Sequence, residues 1–245
     1  MSQNDTHFGF QDIPWQEKQT KVNQVFDRVA SRYDLMNDLM SAGLHRLWKD
    51  EAIRMLSPQA NEIILDLAGG TGDLTSRILK KSPQTQVILS DINFNMLQEG
   101  MKRLDRVGRF GIHYTLANAE SLPFERESCD GLIIGFGLRN VRDQQTALNE
   151  FYRILKPKGR VLILEFSEVS PPLKKPYDFY SFKVLPKLGK YVAHDEASYQ
   201  YLAESIRKHP NQETLKNMLS LAGFNEVHYR NLMGGVVAIH LGWKA

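Results

Sequence analysis

Residues 63–74, Ile-Ile-Leu-Asp-Leu-Ala-Gly-Gly-Thr-Gly-Asp-Leu, constrain this chain more than any other stretch. Ile63 to Leu67 is a short apolar run, and four to eight apolar residues ending at glycines read as a buried strand rather than a helix. Three glycines then fall within four residues, and Leu74-Thr75-Ser76-Arg77-Ile78-Leu79 resumes at helical spacing. Strand, glycine turn and helix in that order make the first unit of a doubly wound α/β sheet, whose ligands bind outside the carboxyl ends of the strands. Gly69, Gly70 and Gly72 lack β-carbons, so the backbone can approach a ligand there and take φ > 0 where the turn requires it. The plainer alternative is a structural turn joining a βα pair.

The same rhythm continues. Residues 86–91 read as a second buried strand ending in Asp91, about 20 residues past the glycine turn, where an acid is placed to accept hydrogen bonds from ribose hydroxyls. A solvated strand-end aspartate is the alternative. A helix over 95–104 leads to a strand over 113–117, which ends in Asn118-Ala119. Asn118 is either an amide facing a ligand or the start of an Asx turn. The strand over 129–136 runs into Gly137-Leu138-Arg139-Asn140. A helix over 144–155, a turn over 156–159 and a fifth strand over 160–166 follow. The chain closes with a helix over 212–222 and two strands near 226–231 and 236–243.

Two regions depart from this alternation. Residues 1–15 are polar with Gly9 and Pro14, which predicts a loose arm. Residues 17–56 are helical in pattern, and Asn37, Ser41 and Gly43 split 33–49 into two helices that could lie across the ligand edge as a lid. Residues 170–210 interrupt the rhythm with aromatics among lysines, including Lys174, Lys175, Tyr177, Phe179, Tyr180, Phe182, Lys183, Lys187, Lys190, Tyr191, Tyr199 and Tyr201. That surface reads either as a seat for an apolar tail beside an anionic membrane or as an ordinary solvated face. The whole is read as one domain over 1–245, with 1–56 as arm and helical lid and 170–210 as a substrate-side insertion.

Composition narrows the function classes. With 42% hydrophobic and 24% charged residues, a packed core is expected. A net charge of +3 is too mild to argue for nucleic acid without a clustered patch. The single cysteine, Cys129, cannot close an internal disulfide, which fits a reducing compartment. No apolar run approaches the ~18 residues of a membrane span, and the N-terminus lacks the basic and apolar regions of a signal peptide. A cytoplasmic protein is expected. No Cys/His cluster suggests a metal.

The loop Asp66-Leu67-Ala68-Gly69-Gly70-Thr71-Gly72 reads D-h-A-x-G-x-G and resembles that of class I S-adenosylmethionine (SAM)-dependent methyltransferases. It does not fit the G-x-G-x-x-G of a dinucleotide site. Longer strings narrow the resemblance. Tyr33-Asp34-Leu35-Met36-Asn37 through His45-Arg46-Leu47-Trp48 is similar to the first signature of the ubiquinone/menaquinone biosynthesis C-methyltransferases. Arg153-Ile154-Leu155-Lys156-Pro157-Lys158-Gly159-Arg160 through Leu164-Glu165-Phe166-Ser167 is similar to the second. Residues 136–141 and 201–207 are also similar to that family.

The resemblance implies an α/β fold of the class I SAM-dependent methyltransferase (Rossmann-like) kind, with a seven-stranded sheet whose last strand is antiparallel. It implies SAM as cofactor, becoming S-adenosylhomocysteine, with contacts on Thr71, Asp91 and the pair Asn118-Ala119, and no metal. Gly135 stands where relatives often have Ser, and Lys158 where they have Gly. The implied reaction methylates a ring carbon of a polyprenylated quinol, either demethylmenaquinol or 2-polyprenyl-6-methoxy-1,4-benzoquinol. The implied partners are that lipophilic substrate, the inner face of a membrane touched peripherally, other quinone-biosynthesis enzymes and a second copy of the chain, but not nucleic acid.

A quinol carbon is nucleophilic when a neighbouring hydroxyl is losing its proton, so the site must stabilise a phenolate and release the ring proton. Arg139, a permanent cation beyond the fourth strand, is the candidate for the first task, unless it is paired to a structural carboxylate. Asn140 would orient it or hold a water. Tyr33, Asp34, Asn37, His45 and the Tyr199/Tyr201 region are further candidates, with His45 either a general base or a packed helix residue. Rivals are a nucleic-acid methyltransferase, disfavoured because Gly137-Leu138-Arg139-Asn140 replaces [DN]-P-P-[YFW], a nicotinamide oxidoreductase, and a SAM-binding scaffold without catalysis.

Overall fold

In a computed structural model describing residues 5–29, 33–106, 111–190 and 195–245, the apolar runs align into one seven-stranded sheet. Ahead of it lie β1 (Asp5–Phe8), β2 (Gln11–Pro14), α1 (Glu17–Val29), α2 (Tyr33–Ser41) and α3 (His45–Leu56). Strands and helices then alternate: β3 (Ile63–Leu67), α4 (Asp73–Lys81), β4 (Gln86–Asp91), α5 (Phe94–Arg106), β5 (Ile112–Leu116), β6 (Cys129–Gly135), α6 (Gln144–Ile154) and β7 (Leu155–Phe166). The inserted segment carries α7 (Pro171–Phe179), a π-helical turn (Tyr180–Val184), α8 (Leu185–Leu188) and α9 (Glu196–Lys208). The chain ends with α10 (Gln212–Leu221), β8 (Asn225–Leu232) and β9 (Val237–Trp243).

The strand order is β5-β4-β3-β6-β7-β9-β8. The first five are parallel, and β9 enters antiparallel between β7 and β8. Winding reverses between β3 and β6, and in open α/β sheets that reversal opens the ligand crevice at the strands' carboxyl ends. Both faces of the sheet are covered, which is why the central strands read as unbroken apolar runs. Ile64, Ile133, Leu162 and Ile239 pack with α3 and α4 on one face. Leu65, Leu67, Leu132, Ile134 and Ile163 pack with α6 and α10 on the other.

Residues 1–4 lie outside the described residues. In place of the loose arm expected over residues 1–15, residues 5–14 form a hairpin, with Thr6 paired to Ile13 and Gly9 at φ +59° in the turn. Its partner lies far along the chain: Phe8 stacks on Tyr201 with ring centroids 4.1 Å apart. Residues 33–49 do form two helices, joined through Ala42 (φ +49°) and Gly43 (φ +79°). α3, however, packs on α4, β7 and β9, with Trp48 edge-on to Phe166, so it covers a sheet face. Trp48, Ala52, Ile53 and Leu56 form an apolar stripe at helical spacing, and burying that stripe on the sheet outweighs a position over the edge.

Candidate active site

The glycine loop is fixed from below by Asp66. Its carboxylate is fully buried, accepts from the Thr75 N–H (2.9 Å) and Thr75 Oγ1 (2.7 Å), and is pushed by burial up to about 7. These bonds tie the end of β3 to the first turn of α4. Between them Ala68, Gly70 and Gly72 take φ of +51°, +52° and +74°. A β-carbon on Gly69 would meet Leu89 Cδ1 at 2.3 Å, so this position accepts only glycine without movement.

The loop is joined to the next strand through Asp91. Gly70 N–H donates to Asp91 Oδ2 (3.0 Å) and Asn93 N–H to Oδ1 (2.8 Å). Burial outweighs these donors and raises the carboxyl to about 6, so it is ionised at neutral pH. Asp91 lines a cleft together with Ala68, Asn118, Ala119, Phe136, Gly137 and Asn140. Gly69, Gly70, Thr71 and Gly72 shape the loop beside the cleft and are not among its lining residues.

The cleft's roof is α1, which supplies Gln19, Val22, Asn23 and Phe26. Both ends of this helix are anchored. Near its start Lys18 Nζ donates to the Val141 carbonyl (3.2 Å), and desolvation lowers this amine to about 8. Toward its end Asn93 Nδ2 donates to Asp27 Oδ1 (2.8 Å) and the Asn23 carbonyl (3.4 Å), and Asn95 donates to Asp27 as well (2.9 Å). Asn93 Oδ1 in turn accepts from Met96 N–H at the head of α5 (2.9 Å). One residue therefore links Asp91, α5 and the roof. The sequence reading did not single out Gln19, Asn23 or Asn93. The polar positions of α1 between Val22 and Phe26 were the signal available, since a helix turned to solvent on that side has no need to bring amides over a sheet edge.

Asn118 Oδ1 accepts from Glu120 N–H (3.0 Å), the Asx turn considered above, and the residue also faces the cleft. The two readings coexist. Glu120 holds the turn by accepting from Arg142 Nη2 (2.7 Å) and Asp143 N–H (2.7 Å).

Beyond β6, Leu138–Asn140 form a 3₁₀ turn. Arg139 is 4% exposed, and its Nη1 donates to Glu165 Oε1 (2.8 Å) and to the Phe136 carbonyl, with the guanidinium 5.6 Å from the Phe166 ring centroid. The carboxylate pair weighed for this residue is present; it engages Nη1, while Nε is buried without a hydrogen-bond partner among the described residues. Burial raises the Glu165 carboxyl, and the adjacent Arg139 opposes that shift. Asn140 does line the cleft, and its Oδ1 accepts from the Tyr201 hydroxyl (2.9 Å). That phenol is buried and pushed upward, so it stays protonated and can donate.

Other candidates fall elsewhere. His45 is buried at the head of α3 with Nε2 on Asp38 Oδ1 (2.9 Å), and Asn37 is buried in α2; neither lines the cleft. The side chains of Tyr33 and Asp34, and Tyr191 as a whole, lie outside the described residues. At Gly135 a β-carbon would point at Leu74 Cδ1, 2.7 Å away, rather than into the cleft. Lys158, expected in a turn over 156–159, is exposed at φ +66° inside β7, which begins at Leu155.

Comparison with known proteins adds to this geometry. The sequence profile of the ubiE/COQ5 methyltransferase family matches residues 15–244. The chain is 52% identical over 246 residues to the ubiquinone/menaquinone biosynthesis C-methyltransferase UbiE of Hydrogenovibrio crunogenus, covering 99% of this chain and 97% of that protein. It is 54% identical to the protein of the same name from Methylococcus capsulatus over the full length of both. Among solved structures, a SAM-dependent methyltransferase from Aquifex aeolicus shares the fold with a TM-score of 0.62 at 12% identity, over 86% of this chain and 98% of that one.

Proposed function

The chain belongs to the ubiE/COQ5 methyltransferase family, and on that premise we propose that it transfers the methyl group of SAM to a ring carbon of a polyprenylated quinol. The acceptors that fit are demethylmenaquinol and the methoxy-benzoquinol of ubiquinone synthesis. The observation carrying this reading is the single cleft in which Asp91, Asn118 and Asn140 meet beneath α1.

The residues present suit the cofactor. Asp91 presents an ionised carboxylate whose remaining lone pairs can accept two ribose hydroxyls, and the loop N–H groups hold it in place. With Oδ1 of Asn118 engaged in its turn, Nδ2 is left to donate to an adenine ring nitrogen. When bound, SAM supplies an electrophilic methyl on a sulfonium.

On the acceptor side, Asn140 is the polar group of this motif that reaches the cleft. Because Tyr201 donates to Oδ1, Nδ2 is the end free to face an acceptor. Donation from Nδ2 to the quinol oxygen stabilises the phenolate as its proton leaves, which raises electron density on the adjacent ring carbon. SAM, held by Asp91 and Asn118, would supply its methyl to that ring carbon and leave as the neutral thioether, and the ring proton would pass to solvent as the aromatic quinol is restored. Arg139, locked on Glu165, positions the 3₁₀ turn that carries Asn140.

The test is methyl transfer from labelled SAM to a short-tailed, chemically reduced demethylmenaquinol, with the oxidised quinone and the benzoquinol in parallel. Label on the ring carbon of a quinol but not of the quinone is expected. Cofactor binding with no label on any acceptor would replace the enzyme by a binding scaffold. Asn140→Ala should slow turnover about 100-fold, the scale of one lost oxyanion donor, with cofactor affinity nearly unchanged. Unchanged turnover would remove Asn140 from the chemistry.

A further inference from the structure

The inserted segment sorts its aromatics and lysines onto opposite sides of one helix. α7, the π-helical turn and α8 run on without a break, since Tyr180, Leu185 and Gly189 all keep right-handed helical backbone angles. The inner side carries Tyr177, Ser181, Leu185 and Leu188 at steps of four, four and three. It is tied down by the Tyr180 hydroxyl on the Leu39 carbonyl and by Asp178 on Arg207. The outer side carries Lys175, Phe179, Lys183 and Lys187 at successive steps of four, all exposed, with Lys190 three residues beyond.

Phe179 is 65% exposed in the middle of that row. Leu173 and Met233, also exposed, stand beside the start of the helix, where Leu173 reaches the Gly234 turn. Lys174 and Lys190 have carboxylates 3.8 Å away in Glu168 and Glu196, whereas Lys175, Lys183 and Lys187 form no ion pair among the described residues. With its apolar face packed on the protein, this helix offers a lysine row, a bare phenylalanine and apolar neighbours on its outer side, which suits contact with an anionic surface through charge and a few inserted side chains. Sorting by burial also removes Tyr177, Tyr180, Phe182, Tyr199 and Tyr201 from the exposed set, since these turn inward in whole or in part.

We infer that this outer side, residues 173–190 with Met233, rests on an anionic lipid bilayer, the lysines against the headgroups and Phe179 and Leu173 below them. The occupant is set by charge: unpaired lysines gain from a negative surface, about fivefold in affinity for each one near it. No helix among the described residues is long and apolar enough to cross a membrane, so the contact is peripheral. None of these residues lines the cleft, so the inference stands apart from the reaction proposed above.

The experiment is vesicle co-sedimentation of the full chain without quinol. One set of vesicles is pure phosphatidylcholine and the other contains phosphatidylglycerol at about a third of the lipid. Binding to the anionic vesicles only, weakening as salt is raised, is the expected result. Lys175→Gln, Lys183→Gln and Lys187→Gln together should weaken it on the order of a hundredfold. Phe179→Ser should weaken it several-fold at constant charge. Both variants should keep wild-type SAM affinity, which reports that they are folded. Absence of wild-type binding, equal binding to both vesicles, or an unchanged triple variant would each overturn the inference; the first would assign the face to an acidic protein instead.

Discussion

The two halves of the cleft are held by contacts of very different reach along the chain. Within the strand, turn and helix on the β4 side the ties span nine residues from Asp66 to Thr75, 21 from Gly70 to Asp91 and two from Asp91 to Asn93, and the contact of Asn93 with Asp27 of the roof reaches farther, across 66. On the β6 side Arg139 meets Glu165 across 26 residues, and Asn140 meets Tyr201 across 61. The first half is a local motif that any chain with this strand, turn and helix would build. The second is complete only once the inserted helix α9 brings Tyr201 to Asn140. A cofactor common to many enzymes can be held by local geometry, whereas an acceptor particular to one reaction calls for groups gathered from several elements.

The contrast is sharpest at the buried ion pair. Glu165→Ala would leave the Arg139 guanidinium buried without its partner, and an uncompensated buried charge costs about 3–5 kcal/mol. Chemical denaturation should show that loss. Replacing both partners, Arg139→Met with Glu165→Leu, should restore most of the stability. If the double variant also restores turnover, Arg139 acts only by positioning; if turnover stays low in a stable protein, its charge reaches the reaction.

The cofactor side should fail in a different measure. Asp91→Ala removes the ribose acceptor and strands two N–H donors, so SAM affinity should drop about 100-fold, at roughly 1–3 kcal/mol per unsatisfied group. Calorimetry would read this directly, and a loss below threefold would move the ribose elsewhere. The same carboxyl predicts a pH dependence. Its acid form cannot accept two hydroxyls, and it gains its proton as pH falls through about 6. Affinity should therefore be flat above pH 7 and fall toward tenfold per unit below 6, with the slope absent in Asp91→Asn.

The smallest effect belongs to the link between the halves. Asn93→Ala removes one of the two amides that tie Asp27 of the roof to the head of α5, so cofactor affinity should weaken about fivefold, the scale of about 1 kcal/mol for a partly redundant hydrogen bond. Faster cofactor release in stopped flow would identify α1 as the element that must open. An unchanged rate would leave the roof to Lys18 on the Val141 carbonyl and Asn95 on Asp27.

Much of the fold was legible from residues. The strands over 63–67 and 86–91 appear in the structure with those boundaries, because buried parallel strands have no polar face to blur the pattern. Asp91, Asn118 and Ala119 reach the cleft for the same reason, each standing at a strand end. Within the segment 1–56 read as arm and lid, α1 roofs the cleft while α3, expected over the ligand edge, covers a sheet face, since an amphipathic helix announces that it has a buried face and not which surface will cover it. The arm at residues 5–14 read as loose because what orders it, Tyr201, is remote.

What the sequence determined by itself is everything set by near neighbours: the alternation of elements, the glycine turn, the acid one strand along and the family signatures. Only the tertiary structure decided that Arg139 would be spent on Glu165, that Tyr201 would turn Asn140 toward the cleft, and that Phe179 alone among its helix's aromatics would stay largely outside. The physical reason is that a charge, an amide or a ring takes its partner from whatever packing brings within about 3 Å, and spacing along the chain carries no record of that choice.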